Sequence, residues 1–181
     1  YDSRFSNFIG LMGTGLYKGA DALPEYAYEG VRAHLRGWEA SGQSRVWTGQ
    51  HEGGVDLQWR ADRVLADNLD TGEPLPRIAP WRLGLSGIYR LQAWQARLGF
   101  DHAAAQRRVP AGSEPTAAYT LWQASLNYRQ KVDVGTVHWF ARWDNITNVL
   151  AYSATSILTS TAPGRVPLPG RSIKLGLQWQ F

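Results

Sequence analysis

The closing run RSIKLGLQWQF places Ile173, Leu175, Leu177, Trp179 and Phe181 on one side of the chain and Lys174, Gly176, Gln178 and Gln180 on the other. A period of two is the mark of a β-strand with one oily and one wet face. An oily face that finishes on an aromatic residue, with no polar tail to solvate it, is expected to meet lipid rather than the core of a water-soluble domain.

The same alternation recurs upstream. The segment 137–145 sets Val137, Trp139, Ala141 and Trp143 against His138, Phe140, Arg142 and Asp144. Segment 120–128 sets Trp122, Ala124, Leu126 and Tyr128 against Gln123, Ser125 and Asn127, and segments 94–102, 81–89 and 55–65 follow the same scheme. Two further strands fall near 29–40 and 2–11. In 29–40 the apolar phase changes from Val31, Ala33 and Leu35 to Trp38 and Ala40, which predicts a β-bulge near Gly37. The connections alternate in length. Those at 91–92 and 130–135 are short and that at 41–52 is intermediate, whereas 13–26, 68–80, 105–118 and 147–170 are long and rich in Pro, Gly, Ser and Thr. An up-and-down meander that puts every long loop at one end is the pattern of a transmembrane β-barrel. The expected fold is therefore all-β: an antiparallel, up-and-down transmembrane barrel segment of about eight strands.

Composition narrows the field further. Apolar residues make up 44% of the chain, and no stretch approaches the roughly 18 apolar residues that a membrane helix needs. Barrel strands escape that criterion because only alternate residues face lipid. Nine Trp and eight Tyr suit aromatic girdles at two lipid interfaces, with a Trp-rich soluble β-protein as the plainer alternative. There is no cysteine, hence no disulfide framework and no thiolate chemistry, as an oxidising periplasmic route would tolerate. The formal charge of +4 comes from basic residues scattered singly along the strands, which argues against nucleic acid as a partner. The chain opens directly in strand-like sequence, YDSRFSNFIGL, as expected if a leader was removed or if the chain is the tail of something longer.

Two resemblances then become specific. Lys174, Gly176, Trp179 and Phe181 resemble the C-terminal assembly signal of bacterial outer-membrane barrels, which implies the barrel-assembly machinery as a partner. The run ARWDNITNVLAYSATS, followed by PLPGRSIKLGLQWQF, resembles the end of a TonB-dependent outer-membrane receptor. In that family an N-[LI]-x-N turn, here Asn145, Ile146, Thr147 and Asn148, leads through a long loop to P-G-R, here Pro169, Gly170 and Arg171, and into the last strand. RFSNFIGL, LPEYAYEGVRAHLRGWEAS and DNLDTGEPLPRIAPWRLGLSGIYR resemble the preceding strands and loops, so the likeness spans nearly all of 1–181. It implies a barrel of about 22 strands around an N-terminal plug, in the outer membrane of a Gram-negative bacterium. The chain would supply its C-terminal part, with the plug and the TonB-coupling segment outside it. The function implied is active uptake of a metal chelate such as a ferric siderophore, or a similar scarce nutrient, energised through TonB; the loops LPEYAYEGVRA and GEPLPRIAP resemble those of the zinc- and metal-importing branch. The partners implied are outer-membrane lipid and lipopolysaccharide, the plug and the remaining barrel strands, and TonB.

Candidate site residues follow from the strand phases. Asp56, Arg60, Asp62, Arg97, Asp101, Arg142 and Asp144 fall on the wet face, where they would line the lumen. They would grip a plug and substrate, or more plainly form the network of hydrated ion pairs that any wide barrel carries. Arg63 falls in the lipid-facing phase near the loop end, from which a long side chain reaches headgroups. In the loops, Arg107, Arg108 and Tyr152 are candidates for substrate contact, the arginines for an anionic chelate or lipopolysaccharide phosphate. His34, His51, His102 and His138 show no metal-ligand spacing, no cofactor is expected, and the serines lack the oriented partners that catalysis needs. A complete eight-stranded barrel with a structural or adhesion role, its first strand paired with its last, is the competing architecture. Its interior would have to be filled by side chains, which the inward residues Gly84, Ser86, Gly99, Ser125 and Gly176 do poorly.

Overall fold

Alternation over eight segments builds one antiparallel sheet of eight strands in sequence order, described by a computed structural model for residues 1–20, 23–49 and 53–181. The strands are β1 (Asp2–Lys18), β2 (Leu23–Thr48), β3 (Gly54–Asn68), β4 (Arg82–Leu91), β5 (Trp94–Ala103), β6 (Tyr119–Val132), β7 (Gly135–Asp144) and β8 (Ser172–Gln180). One short helix, α1 (Ile157–Thr161), lies between β7 and β8, with the Ser156 hydroxyl accepting from the Leu158 amide at its N-cap. First and last strands are not hydrogen-bonded to each other, so the sheet is open and the closed eight-stranded architecture is not formed.

Register carries the alternation through the whole sheet, because directly opposed residues share a face. From β3 to β8 one tier runs Trp59, Leu85, Phe100 and Trp122, and another runs Ala96, Leu126, Ala141 and Leu175. This outer face carries exposed Leu98, Leu126, Ile173, Leu175 and Leu177, which in water would form an apolar patch far larger than a soluble monomer shows. Aromatic residues gather at its two margins. At the short-turn margin Trp47 stacks on Tyr89 with ring centroids 6.5 Å apart, and Trp94 on Tyr128 at 4.3 Å. Toward the long loops Phe100 meets Trp122 at 5.1 Å. Trp94 and Phe100 are six positions apart on β5, about 20 Å along the strand, which is the scale of an outer-membrane apolar band.

The structure corrects the sequence reading at three places. The expected loop 13–26 is largely ladder: β1 and β2 continue as a hairpin to the pairs Gly13 with Tyr26 and Tyr17 with Pro24, with a register shift between them. Outside the apolar band nothing enforces alternation, so the ribbon left no periodic trace. The expected connection 41–52 is also strand up to Thr48, paired with β3. Its outer face reads as polar because Gly42 has its cover supplied from next door: a Cβ there would stand 2.8 Å from the Trp59 indole.

No bulge forms at Gly37, which pairs in register with Val64. The irregularities lie instead at Phe5/Phe8, Gly13/Tyr17 and Arg45/Trp47, and the last of them aims Trp47 outward beside Tyr89. The apolar phase of β2 changes because its inner face changes environment. Below Gly37 the inner residues Glu39, Ser41 and Gln43 stand opposite Asp62, Arg60 and Gln58. Above it Val31 and Ala33 join Ala66 and Leu75 in a small buried core, with Phe8, Met12, Leu35 and Ile78 packed around. Leu75 comes from the loop 69–81, is 1% exposed, and its burial is worth about 2 kcal/mol. This core pins the loop, helped by hydrogen bonds from the Leu75 amide to the Ala66 carbonyl at 2.9 Å and from the Asn68 amide to the Glu73 carbonyl at 2.8 Å.

Candidate functional site

The face opposite the apolar band is a wall of paired charges. All of Asp56, Arg60, Asp62, Arg97, Asp101, Arg142 and Asp144 sit on it, in register with Gln58, Gly84, Ser86, Gly99, Gln123 and Ser125. Asp56, 3% exposed, is gripped from both sides by Arg45 of β2 and Arg90 of β4, and Arg90 also donates to Gln95 at 3.2 Å. Arg82 pairs with Asp62 at 2.9 Å, and Arg142 and Lys174 share Asp144 at 2.7 and 3.3 Å. The sequence reading missed Arg45, Arg82 and Arg90, whose signal was their place in the same phase as the acids; the bulge at Arg45/Trp47 hid the first.

One pair spans three strands. Arg60 on β3 reaches Asp101 on β5 at 2.7 Å over Gly84 of β4, which stands between them in register. A Cβ on Gly84 would lie 2.7 Å from the Asp101 Oδ1 and 2.8 Å from the Arg60 Nε. Gln123 of β6 donates to the other Asp101 oxygen at 3.0 Å, and Arg97 donates to the Ser86 hydroxyl at 3.0 Å. Around this crossing the wall is hollowed into a half-open recess of about 510 Å³, lined by Gln43, Gln58, Arg60, Arg97, Asp101 and Gln123 among others. Such a surface is polar, hydrated and rigidly cross-linked. It offers alternating donors and acceptors to whatever fills the lumen, and no nucleophile with an aligned base.

The loop candidates are engaged differently. Arg108 is taken up by Asp67 and by the Ala66 carbonyl at 3.1 Å, which ties the loop 104–118 to β3. Arg107 is exposed. The Tyr152 hydroxyl donates to the Gly164 carbonyl at 2.9 Å within its own loop, and the Tyr26 hydroxyl of the long hairpin donates to the Ser160 carbonyl at 2.8 Å. The imidazole of His34 is bonded to Asp2 at 2.7 Å and that of His102 to Thr120 at 2.9 Å. His138 stands opposite Arg129 and Gln178, and His51 lies outside the described residues.

The asparagine pair quoted from the sequence acts at the base of the long loop. Asn145, 4% exposed with φ of 46°, donates to the carbonyls of Val149 and Pro169 at 3.0 and 3.1 Å and accepts from the Val149 amide at 2.9 Å. Asn148, φ 53°, accepts from the Arg171 amide at 3.0 Å. The two side chains therefore staple the start of the loop to its end. Asparagine suits both places, since its short amide tolerates the left-handed region and carries donor and acceptor together. In the closing strand Lys174 holds Asp144, Gly176 lies under the Phe140 ring, and the Trp179 indole donates to the Val134 carbonyl at 3.0 Å. Phe181, 93% exposed, rests its ring 5.6 Å from that of Trp179.

An open meander with an apolar outer face, two aromatic margins and an ion-paired inner face is a segment of a transmembrane β-barrel. A family profile described as TonB dependent receptor-like, beta-barrel, matches residues 1–179, and the chain belongs to that family. Among solved structures the chain is similar to the copper transporter OprC, with a TM-score of 0.75 and 18% identity over 99% of this chain and 28% of that one. At that identity the likeness is one of fold, and the chain spans 28% of the length of the transporter. No curated protein sequence matches.

Proposed function

We propose that the chain is the C-terminal barrel portion of an outer-membrane uptake receptor energised through TonB, which carries a metal chelate such as a ferric siderophore or a similarly scarce nutrient. The observation that supports it most is the inner wall. Ion pairs stitch β2 through β5 into a stiff polar surface around the recess at Arg60 and Asp101, suited to holding a plug domain while a hydrophilic cargo passes. The open sheet agrees, because unpaired backbone groups at its edges would cost several kcal/mol each in lipid and call for further strands. The family supports the outer membrane as the location and TonB as the energy source, and the structural neighbour OprC is a copper transporter. In this reading Lys174, Gly176, Trp179 and Phe181 address the chain to the assembly machinery, and Arg107 with the loop 145–171 faces incoming cargo.

Two measurements test the reading. An immunoblot of outer-membrane extracts with an antibody against the loop 147–170 should show a band several times the 20.2 kDa of this chain. Deleting the gene should abolish energy-dependent accumulation of iron or copper supplied as chelates. A band near 20.2 kDa, or unchanged accumulation of both metals, would overturn it.

A further inference from the structure

Loops above a strand wall move freely unless something ties them, and here the ties build a post. Above Gly37 the β1–β2 ribbon climbs to the pair Tyr17 and Pro24, about 40 Å along its strands. Its foot is sealed by the core of Val31, Ala33, Ala66 and Leu75. Beside that core the Arg32 amide and guanidinium both donate to Asp70, at 2.7 and 2.6 Å, and the Leu69 amide donates to the Arg32 carbonyl at 2.8 Å. Higher up, Glu25 accepts from the Thr14 hydroxyl at 3.1 Å and pairs with Lys18. A bare two-stranded ribbon is marginally stable; this one is braced.

The loop 145–171 leaves the wall far from that post. β2 and β7 stand second and seventh in strand order, five spacings or about 24 Å apart along the wall. Yet the Tyr26 hydroxyl, on the post, donates to the Ser160 carbonyl in α1 at 2.8 Å. A straight line between two strands of a curved wall passes on its concave side, so the loop crosses above the lumen, over the arc from β3 to β6. It does not cross as a slack chain. The Leu168 amide ties one limb to the Ala151 carbonyl of the other at 2.7 Å, and Ala151 is buried. The Tyr152 hydroxyl reaches the Gly164 carbonyl at 2.9 Å, and Asn145 and Asn148 clamp the base.

We infer that the loop 145–171 is a fixed beam across the mouth rather than a lid, and that cargo enters on the side of it away from β3 to β6. This rests on the uptake reading above. Clamped at one end, tied along its length and seated on a braced post at the other, the loop keeps its place while cargo passes. It screens the recess at Arg60 and Asp101 from above, so cargo meets that part of the inner wall from the lumen.

The test uses the full receptor in intact cells. This chain has no cysteine, so Tyr26→Cys and Ser160→Cys introduce a defined pair, with each single variant as control. A tyrosine's length separates the two backbones, more than a disulfide spans, so a flexible bismaleimide is the crosslinker. The pair should crosslink in high yield, and uptake of iron or copper chelates should stay within about twofold of that in cells given a monofunctional maleimide. Uptake lost on crosslinking would make the loop a lid and overturn the inference. So would failure of the pair to crosslink when both single variants are labelled. A second measurement needs no cargo: spin labels at Arg165→Cys and at Asp133→Cys in the turn after β6, both exposed, should give one narrow distance, whereas a broad or double distribution would overturn the beam. If neither metal is taken up by untreated cells, the uptake reading falls and the spin-label distance still decides whether the beam is fixed.

Discussion

Replacing Asn145 with alanine should unlatch the loop 145–171 while leaving the barrel intact. Three side-chain hydrogen bonds would go, at a net of about 1 kcal/mol each for a group as buried as this one. Holding alanine at the left-handed φ of 46° adds about 1 kcal/mol. The sum, about 4 kcal/mol off the free energy of opening, multiplies the opened population about a thousandfold. Hydrogen exchange at the Leu168 amide reports this cleanly, because its bond to the Ala151 carbonyl at 2.7 Å closes the loop without touching residue 145. Asn148→Ala removes a single exposed bond and also holds alanine at a left-handed φ of 53°, together about 2 kcal/mol, so it should speed the same amide only about thirtyfold. If Asn145→Ala leaves exchange at Leu168 within about threefold of the parent, the staple does not hold the loop and the additive reasoning fails.

Other perturbations separate strong from weak interactions. Asp56→Ala would leave Arg45 and Arg90 facing each other in a buried site and should cost about 3–5 kcal/mol in denaturant unfolding; a loss below about 1 kcal/mol would mean the site is hydrated. Gly84→Val must part Arg60 from Asp101, yet both are half exposed, so the expected loss is under about 1 kcal/mol. Gly135→Ala, by contrast, sets a Cβ 2.1 Å from the Gln180 carbonyl at a φ of 111°. It should cost at least about 2 kcal/mol, and equal effects at the two glycines would contradict the packing described. In the loop 69–81, the Arg32 backbone amide, followed by its guanidinium, holds the Asp70 carboxyl below the usual carboxylate range. A depressed carboxylate stabilises above its unfolded pKa and loses that contribution as pH falls through the folded one. Protease sensitivity of this loop should therefore rise below about pH 4 and stay flat from about 5 to 8, and Asp70→Asn should abolish the pH response.

Strand number and the facing of β3 through β8 were legible because lipid on one side and water on the other impose a strict period of two. Legibility ended where that contrast ended. The β1–β2 hairpin above Gly13 has no apolar band to satisfy, and the Ser41–Thr48 stretch of β2 borrows its cover from Trp59. The phase change at Gly37 looked like a bulge because sequence shows which residues are apolar but not that Leu75 folds back from a distant loop to meet Val31 and Ala33. Among the site residues, the acids of the inner wall were read by phase alone, whereas partners such as Arg90 for Asp56 depend on register between strands. Asn145 and Asn148 were visible as a motif. Their work as staples was not, since it rests on carbonyls and amides more than 20 residues downstream.

The small core around Leu75 also divides the surface loops into two kinds of terrain for change. Loop 69–81 is sealed to the wall by a side chain with no room to vary, so insertions or antigenic variants there would have to preserve Leu75 and its carbonyl partner. The stretch just after α1, by contrast, is stapled at its base and touched above by Tyr26, with Pro163, Gly164 and Arg165 exposed between. A foreign peptide grafted at Gly164, or a sequence drifting under immune pressure, would meet little resistance from the barrel beneath.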